Sequence, residues 1–166
     1  AELKSAGEVG KILVTGCLSQ RYKNEILTEL PEVDGVLGTG SYSRIVEAVN
    51  AVAAGETPSY FDSIHAPVEE LPRVVTTPKH YAFLRIAEGC DNWCAFCAIP
   101  AIRGRFRSRP IENIVAEAKA LAESGVKELI VIAQDITRYG TDLYGKRRLA
   151  DLCRELGKIE GVEWIR

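Results

Sequence analysis

The chain has 166 residues, and its 21 basic and 23 acidic side chains leave a net charge of −2. Apolar residues make up 46% and charged residues 27%, which is typical of a globular protein and excludes a disordered or fibrous one. So small a charge gives no strong field toward nucleic acid or membranes, so nucleic acid could be bound only by a local patch.

The sequence contains no segment that addresses it to a membrane. Its longest apolar runs, such as 129–133, are far too short to span a bilayer, and its polar beginning lacks the apolar core of a signal peptide. We therefore expect a cytoplasmic protein without a membrane partner. Methionine is absent, and the sequence stops inside a predicted strand, so we expect a piece of a longer protein.

The first part of the chain alternates between strands and helices. Apolar runs predict strands at 11–14 and 35–38. A helix follows each: the first is capped by Ser19 and stopped by Pro31, and the second is capped by Ser43. The predicted apolar face of the second helix consists of Val46, Val49, Val52 and Ala53.

Residues 56–79 read as a linker. Four prolines, at positions 58, 67, 72 and 78, fall in this segment, and no hydrophobic period is sustained. Prolines at this density favour an extended, semi-rigid connection, so we place a domain boundary here.

Residues 80–166 begin a second alternation. A strand at 81–87 runs into a cysteine-rich loop, Pro110 lies at a helix start, and further strands are predicted at 128–133 and 162–165. Two helices between the strands carry apolar stripes, one through Ile111, Ile114, Val115, Ala118, Leu121 and Ala122 and one through Leu149, Leu152, Cys153, Leu156 and Ile159. This succession predicts an α/β fold that opens a (β/α) barrel.

Three of the five cysteines are crowded into the loop. Cys90, Cys94 and Cys97 follow C-x3-C-x2-C. Three thiolates on one loop can each ligate one iron of a cubane cluster, which leaves the fourth iron open to a small molecule. Phe96 can cover such a cluster. The odd number of cysteines and the reducing compartment disfavour a disulfide framework.

Zinc is the alternative occupant of this loop. Structural zinc takes four ligands, usually in CxxC pairs, and the sequence has no second pair, although His80 could complete a Cys3His site. Because three ligands suit a metal with an open position, the spacing favours the cluster over a zinc-stapled, non-catalytic binding module.

The loop and its flanks resemble a known family. The cysteine spacing, with an aromatic residue before the last cysteine, is similar to the radical-SAM superfamily. Within that superfamily, several short runs of this sequence resemble the methylthiotransferase family. They are Glu88-Gly-Cys, Phe96-Cys-Ala-Ile-Pro, Arg103-Gly-Arg, Ser108-Arg-Pro, Gly125-Val-Lys-Glu-Leu and Gln134-Asp. The runs that start at Gln134 (Gln-Asp-Ile-Thr-Arg-Tyr-Gly) and Gly161 (Gly-Val-Glu-Trp-Ile-Arg) are closer to the RimO branch than to the MiaB branch.

The resemblance implies a domain organisation. Residues 1–55, which include the run Thr15-Gly-Cys-Leu-Ser-Gln-Arg-Tyr, would be the end of a flavodoxin-like N-terminal methylthiotransferase domain. Residues 56–79 would be the linker, and residues 80–166 would open the radical-SAM partial barrel.

The resemblance also implies an activity. The RimO branch converts an aspartate of a small-subunit ribosomal protein (the S-twelve protein) to 3-methylthioaspartate, with S-adenosylmethionine and two 4Fe–4S clusters as cofactors. Its substrate is the ribosomal protein or the small ribosomal subunit, and it needs an electron donor such as flavodoxin or ferredoxin. The alternative is a tRNA adenosine methylthiotransferase of the MiaB type. We expect the 166-residue piece alone to be inactive.

Further site residues follow from the resemblance. Gln134 and Asp135 lie where the superfamily holds the amino group of S-adenosylmethionine, although a capping role for Asp135 is equally open. Phe96 is assigned to cofactor binding. Cys17 matches the third cysteine of the family's N-terminal cluster motif and would ligate the second cluster, whose other two cysteines lie outside this sequence.

Three arginines and a further cysteine remain to be interpreted. Arg103, Arg105 and Arg107 form a basic group that could bind a carboxylate of cofactor or substrate, or could be a solvated loop. Cys153 falls on an apolar helix face, which predicts a buried structural thiol.

Overall fold

The computed structural model describes residues 2–70 and 73–166, which form two compact units. The first unit contains the described chain up to Ala66 together with Phe96–Gly104, and the second contains the other described residues. The division after Ala66 falls inside the predicted linker, whose Pro72 lies outside the described residues. In the described parts of the chain, no helix is long and apolar enough to cross a membrane.

The first unit is built on a three-stranded parallel sheet. Its strands, side by side in chain order, are β1 (Leu13–Thr15), β2 (Gly35–Leu37) and β3 (Ser59–Tyr60). Its helices are α1 (Glu2–Ser5), α2 (Cys17–Tyr22), α3 (Glu25–Glu29), α4 (Ile45–Ala53) and α5 (Ile99–Arg103), with a 3₁₀ turn at Tyr42–Arg44. The central strand β2 is buried along its whole length. The predicted strands at 11–14 and 35–38 are confirmed.

The start of the first helix differs from the prediction. The helix begins at Cys17, two residues before Ser19, and the predicted segment is divided into α2 and α3. Ser19 does not cap the helix, because its buried hydroxyl donates to the carbonyl oxygen of Leu37 at the end of β2. The segment predicted as linker also contributes β3, which is too short to show a period.

The predicted apolar face of the second helix is wrong except at Val52, because Val46, Val49 and Ala53 are exposed. α4 buries Ala48 and Val52, whereas Val46 and Val49 are 67% and 50% exposed. The helix starts at Ile45, after a 3₁₀ turn that contains Ser43. Apolar residues occur nearly all round α4, so periodicity alone cannot select the side that packs on β2.

The second unit contains a three-stranded parallel sheet and a small antiparallel pair. The parallel sheet has the order β4 (Tyr81–Arg85), β7 (Glu128–Ile132) and β8 (Trp164–Ile165), and the antiparallel pair joins β5 (Ala87–Glu88) to β6 (Arg107–Ser108). The helices are α6 (Ile111–Glu123), α7 (Thr141–Tyr144) and α8 (Leu149–Leu156), with a 3₁₀ turn at Ile136–Arg138. The predicted alternation of strands and helices is confirmed, and the antiparallel pair was not predicted.

The core of the second unit confirms both predicted apolar stripes. Buried residues of α6, α8 and the strands pack together, among them Ile114, Ala118, Leu121, Leu152, Leu156, Leu84 and Leu129. Pro110 is the residue before α6 rather than its first residue, and Gly125 follows the helix with φ +100°, where glycine avoids backbone strain.

A buried arginine ties the segment before β4 to α6. Arg109 is 4% exposed and pairs with Glu70 through two hydrogen bonds and with Glu117 at 2.7 Å. It also donates to the carbonyl oxygen of Arg85. Burial opposes ionisation of Glu70, but the hydrogen bonds and charge of Arg109 outweigh it and lower the pKa of Glu70. The guanidinium is thus compensated on several sides.

We expect Arg109→Ala to lower the free energy of unfolding by about 3 kcal/mol, because two carboxylates would lose their common partner. Arg154→Ala is the matched control, since Arg154 is 70% exposed and its pair with Asp151 contributes less than about 1 kcal/mol. Urea unfolding of both variants measures the difference, and equal losses would contradict the role of Arg109.

Gly40 in the first unit has no room for a side chain. A Cβ on Gly40 would lie 2.5 Å from the carbonyl oxygen of Asp62, which is backbone and cannot rotate away. We expect Gly40→Ala to lower the free energy of unfolding by about 1–3 kcal/mol. Gly10→Ala is the control, because nothing lies within 4 Å of its Cβ, and a stable Gly40→Ala protein in urea unfolding would refute the prediction.

Candidate metal centre

The cysteine loop leaves the second unit at the carboxyl end of its sheet. β4 and β5 lead into it, and β6 returns to pair with β5 through Ala87–Ser108 and Glu88–Arg107. The short antiparallel pair therefore holds together the two ends of the segment between β5 and β6, which contains the cysteines. The loop itself turns at Trp93, whose φ of +48° lies in the left-handed region that non-glycine residues seldom adopt.

The three loop cysteines are free thiols within reach of solvent. Cys90 is partly buried, and Cys94 and Cys97 are exposed. Cys90 and Cys94 belong to the second unit, and Cys97 lies in the segment of the first. Across residues 2–70 and 73–166, no three His, Cys, Asp or Glu side chains converge in a geometry that could hold a metal ion. The assembly of the three cysteines around one cluster stays a prediction.

The donor set fits an iron–sulfur cluster better than zinc. Three thiols on one accessible loop supply the thiolates that iron–sulfur clusters use. A Cys3His zinc site would need His80, which precedes β4, whereas the loop follows β4 and β5. The five residues of β4, at about 3.3 Å each, put roughly 16 Å between the two ends of the strand. The histidine and the loop are therefore at opposite ends of the sheet.

Gln134 lies beside the start of the loop. Its side-chain oxygen accepts a 2.8 Å hydrogen bond from the backbone N–H of Gly89, next to the first loop cysteine. Because β4 and β7 are parallel neighbours, the residues that follow them meet at one edge of the sheet. The structure thus brings Gln134 to the loop, and its contact with S-adenosylmethionine stays a prediction.

Asp135 is engaged by the protein's own donors. One carboxylate oxygen accepts from the backbone and hydroxyl of Thr137, at 3.0 and 2.6 Å, and so caps the 3₁₀ turn. The other accepts from the side-chain amide of Asn92 at 3.1 Å. The bond from the Thr137 hydroxyl is the main cause that lowers the pKa of Asp135. The capping role that the sequence left open is the one that the structure shows.

Sequence reasoning missed a polar network between the loop and the 3₁₀ turn. The Asp91 carboxylate accepts from the backbone N–H of Phe106, and the Asn92 side chain contacts Asp135 and Arg138. Arg138 also lies over the Phe106 ring. Two polar residues directly after the first cysteine were the available signal, but their partners are more than a dozen residues away in sequence. This network orders the first half of the loop.

The other residues singled out in the sequence differ in their surroundings. The Phe96 side chain is 96% exposed, so its assignment as a cofactor cover stays a prediction. Cys153 is free and partly buried on α8, less enclosed than the sequence predicted. Arg105 is exposed, and burial lowers the pKa of Arg107.

Cys17 has a partner that the sequence did not indicate. It is the first residue of α2, and Arg103 is the last residue of α5 in the same unit. The Arg103 guanidinium donates to the Cys17 sulfur from Nε at 3.3 Å and from Nη2 at 3.1 Å. Arg103 thus has a specific partner on another helix of its own unit.

Comparison with known proteins agrees with the cysteine pattern. Residues 84–165 match the Radical SAM superfamily. The chain is 52% identical over 167 residues to the ribosomal protein uS12 methylthiotransferase RimO of Clostridioides difficile (strain 630). It is 53% identical over 168 residues to the RimO protein of Desulforamulus reducens. Both matches cover the whole chain, which spans about 38% of the length of these curated relatives.

A solved structure shares the fold. The radical S-adenosylmethionine methyltransferase TsrM from Kitasatospora setae aligns with a TM-score of 0.57 at 14% identity, covering 87% of this chain and 32% of that one. At this identity the likeness concerns the fold alone. The superfamily match over residues 84–165 and the similarity to RimO proteins along the whole of this chain confirm the resemblance to the radical-SAM methylthiotransferase family.

Proposed function

We propose that the chain is part of a radical-SAM methylthiotransferase of the RimO type. Its substrate would be an aspartate of ribosomal protein uS12, free or in the small ribosomal subunit, and its product 3-methylthioaspartate. The observation that carries the proposal is the C-x3-C-x2-C loop at the carboxyl end of a parallel sheet, beside Gln134. The similarity of the whole chain to part of the RimO proteins supports the choice of uS12 over tRNA as the substrate.

The position of the loop suits this chemistry. In folds built from parallel strands joined by helices, ligands and reacting groups gather at the carboxyl ends of the strands. The cysteine loop follows β4, and Gln134 and Asp135 follow β7, so both reach that edge. A ligand on the loop would be flanked by side-chain oxygens that can accept from an amino group.

Each residue would have a distinct task. Cys90, Cys94 and Cys97 would hold a 4Fe–4S cluster, and Phe96 would shield it. The bound cluster and S-adenosylmethionine would supply the radical chemistry, while the protein binds, orients and excludes water. Gln134 and Asp135 would fix the loop through Gly89 and Asn92 and would face the amino group of S-adenosylmethionine.

A second cluster belongs to the same proposal. Cys17 would be one of its ligands, with the other two supplied by residues outside this sequence. An electron donor such as flavodoxin or ferredoxin would reduce the clusters. We also place the protein in the cytoplasm, where a reducing environment keeps thiols unpaired, and all five cysteines of the chain are free.

The loop assignment is tested by anaerobic reconstitution of the chain with iron and sulfide. We expect a broad thiolate-to-iron charge-transfer absorption and a reducible paramagnetic cluster, both lost in Cys94→Ala because one of three ligands is removed. Cys153→Ala is the matched control and should retain the cluster. Stoichiometric zinc without the absorption would contradict the proposal.

The substrate is tested with the full-length protein, S-adenosylmethionine and a reductant. Mass spectrometry of uS12 should show one methylthio group in place of hydrogen on a single aspartate, and Cys94→Ser should abolish it. Purified tRNA in a parallel reaction should remain unmodified. Thiomethylation of tRNA without change in uS12 would favour the MiaB type instead.

A further inference from the structure

A cavity in the first unit lies at the carboxyl end of its parallel sheet. Its volume is about 560 Å³, and every residue that lines it belongs to that unit. The lining includes Gln20 of α2, which follows β1, and the segment 61–65, which directly follows β3. This edge of a parallel sheet is where α/β proteins bind small molecules, and the volume is in the range of such sites.

The wall of this cavity contains a glutamine whose amide the protein does not satisfy. Gln20 is 7% exposed, and its side-chain oxygen is buried without a hydrogen-bond partner among the described residues. A buried acceptor without a donor costs free energy. The terminal torsion of a glutamine is soft, so the amide can turn to meet a donor that enters the cavity. Gln20 is therefore an acceptor that a ligand could use.

Gly38 makes room for this amide and for an aromatic ring. A Cβ on Gly38 would collide with the Gln20 oxygen and would lie 2.8 Å from Cδ1 of Phe61. The amide and the ring can therefore both lie against the same backbone position. Phe61 and the aliphatic side chain of Ile102 give the cavity an apolar side. A flat ring with N–H donors on its edge suits an acceptor beside such a surface.

The cations in the lining outnumber its carboxylates. Arg21 and Lys23 both line the cavity and are exposed. The carboxylate of Asp62 is already engaged, because it accepts a 2.8 Å hydrogen bond from the Ser41 hydroxyl and lies 3.7 Å from Arg44. Arginine and lysine side chains are the usual partners of phosphate groups. The charge at the rim therefore favours an anionic ligand.

We propose that this cavity binds an adenine nucleotide, with the base at Gln20 and the phosphate at Arg21 and Lys23. A glutamine amide can accept from the exocyclic amino group of adenine and donate to the neighbouring ring nitrogen N7. The Phe61 ring can stack on the base. The site lies in the first unit, and it does not depend on the cysteine loop.

The test is calorimetric titration of the full-length protein in which Cys90, Cys94 and Cys97 are replaced by alanine, which removes the proposed site of S-adenosylmethionine. Adenosine monophosphate should bind about 10-fold more tightly than inosine monophosphate, which lacks the amino group, because one hydrogen bond is lost. It should also bind more tightly than adenosine or inorganic phosphate. If this variant does not fold, the same ligands are compared in the intact protein with and without Gln20→Leu.

Gln20→Leu separates a binding role from a structural one. It should weaken binding of adenosine monophosphate about 10-fold and bring it to the affinity of inosine monophosphate, because the acceptor is gone. It should not lower the free energy of unfolding, because it removes a buried acceptor that has no partner. Gln20→Met, a flexible side chain of similar length, carries the same expectations if the leucine variant does not fold.

The phosphate end is tested by the double variant Arg21→Gln/Lys23→Gln. It should weaken binding of adenosine monophosphate about 10-fold and leave adenosine binding unchanged, because only the phosphate loses its partners. Arg154→Gln is the matched control, since Arg154 is an exposed arginine of the second unit. It should leave the binding of both ligands unchanged.

Three outcomes would overturn the inference. They are no binding of adenosine monophosphate, equal affinities for it and inorganic phosphate, and a loss of stability in Gln20→Leu without any change in binding. Because the tested protein lacks the three loop cysteines, each of these outcomes leaves the proposed function intact. Discrimination by the amino group that disappears in Gln20→Leu supports the inference.

Discussion

The parallel pairing of β4 with β7 decides which segments of the second unit meet at the end of its sheet. Tyr81 pairs with Glu128 and Arg85 with Ile132, so the two strands run side by side over five residues and end at one edge. The segments that come after the two strands therefore meet in space. The cysteine loop comes after one strand and Gln134 after the other, and the bond from Gly89 to Gln134 is the direct result.

The sequence predicts most of the scaffold because its elements are long or strongly patterned. α6 could be read from its apolar stripe, from Pro110 before it and from Gly125 after it, and β7 from its continuous apolar run. These signals lie within single segments, and the apolar residues that they mark are the ones that pack in the core. Where the local signal is uniform, as around α4, the buried side is set by the neighbouring strand, which a single helix cannot reveal.

The sequence supplies the candidate ligands of the site but not their surroundings. Cysteine spacing is a property of one short loop, so Cys90, Cys94 and Cys97 can be read directly. The contacts around the cysteines join residues that are remote in sequence: Asn92 of the loop contacts Asp135, and Arg103 of α5 contacts Cys17 of α2. Such pairs depend on how two elements pack, and neither residue type is unusual for an exposed loop. This explains why three neighbouring arginines looked alike in sequence and differ in the structure.

The two cysteine-bearing regions share one kind of contact. In each, a polar group from a separate element in the same unit is directed at or next to a cysteine: Gln134 at the backbone beside Cys90, and Arg103 at the sulfur of Cys17. Sulfur forms weak hydrogen bonds and thiols are mobile, so neither loop nor helix end would by itself hold a thiolate in a fixed direction. Anchoring from a second element supplies such a direction, and it would reduce the ordering that ligation of a cluster, as proposed, must accomplish.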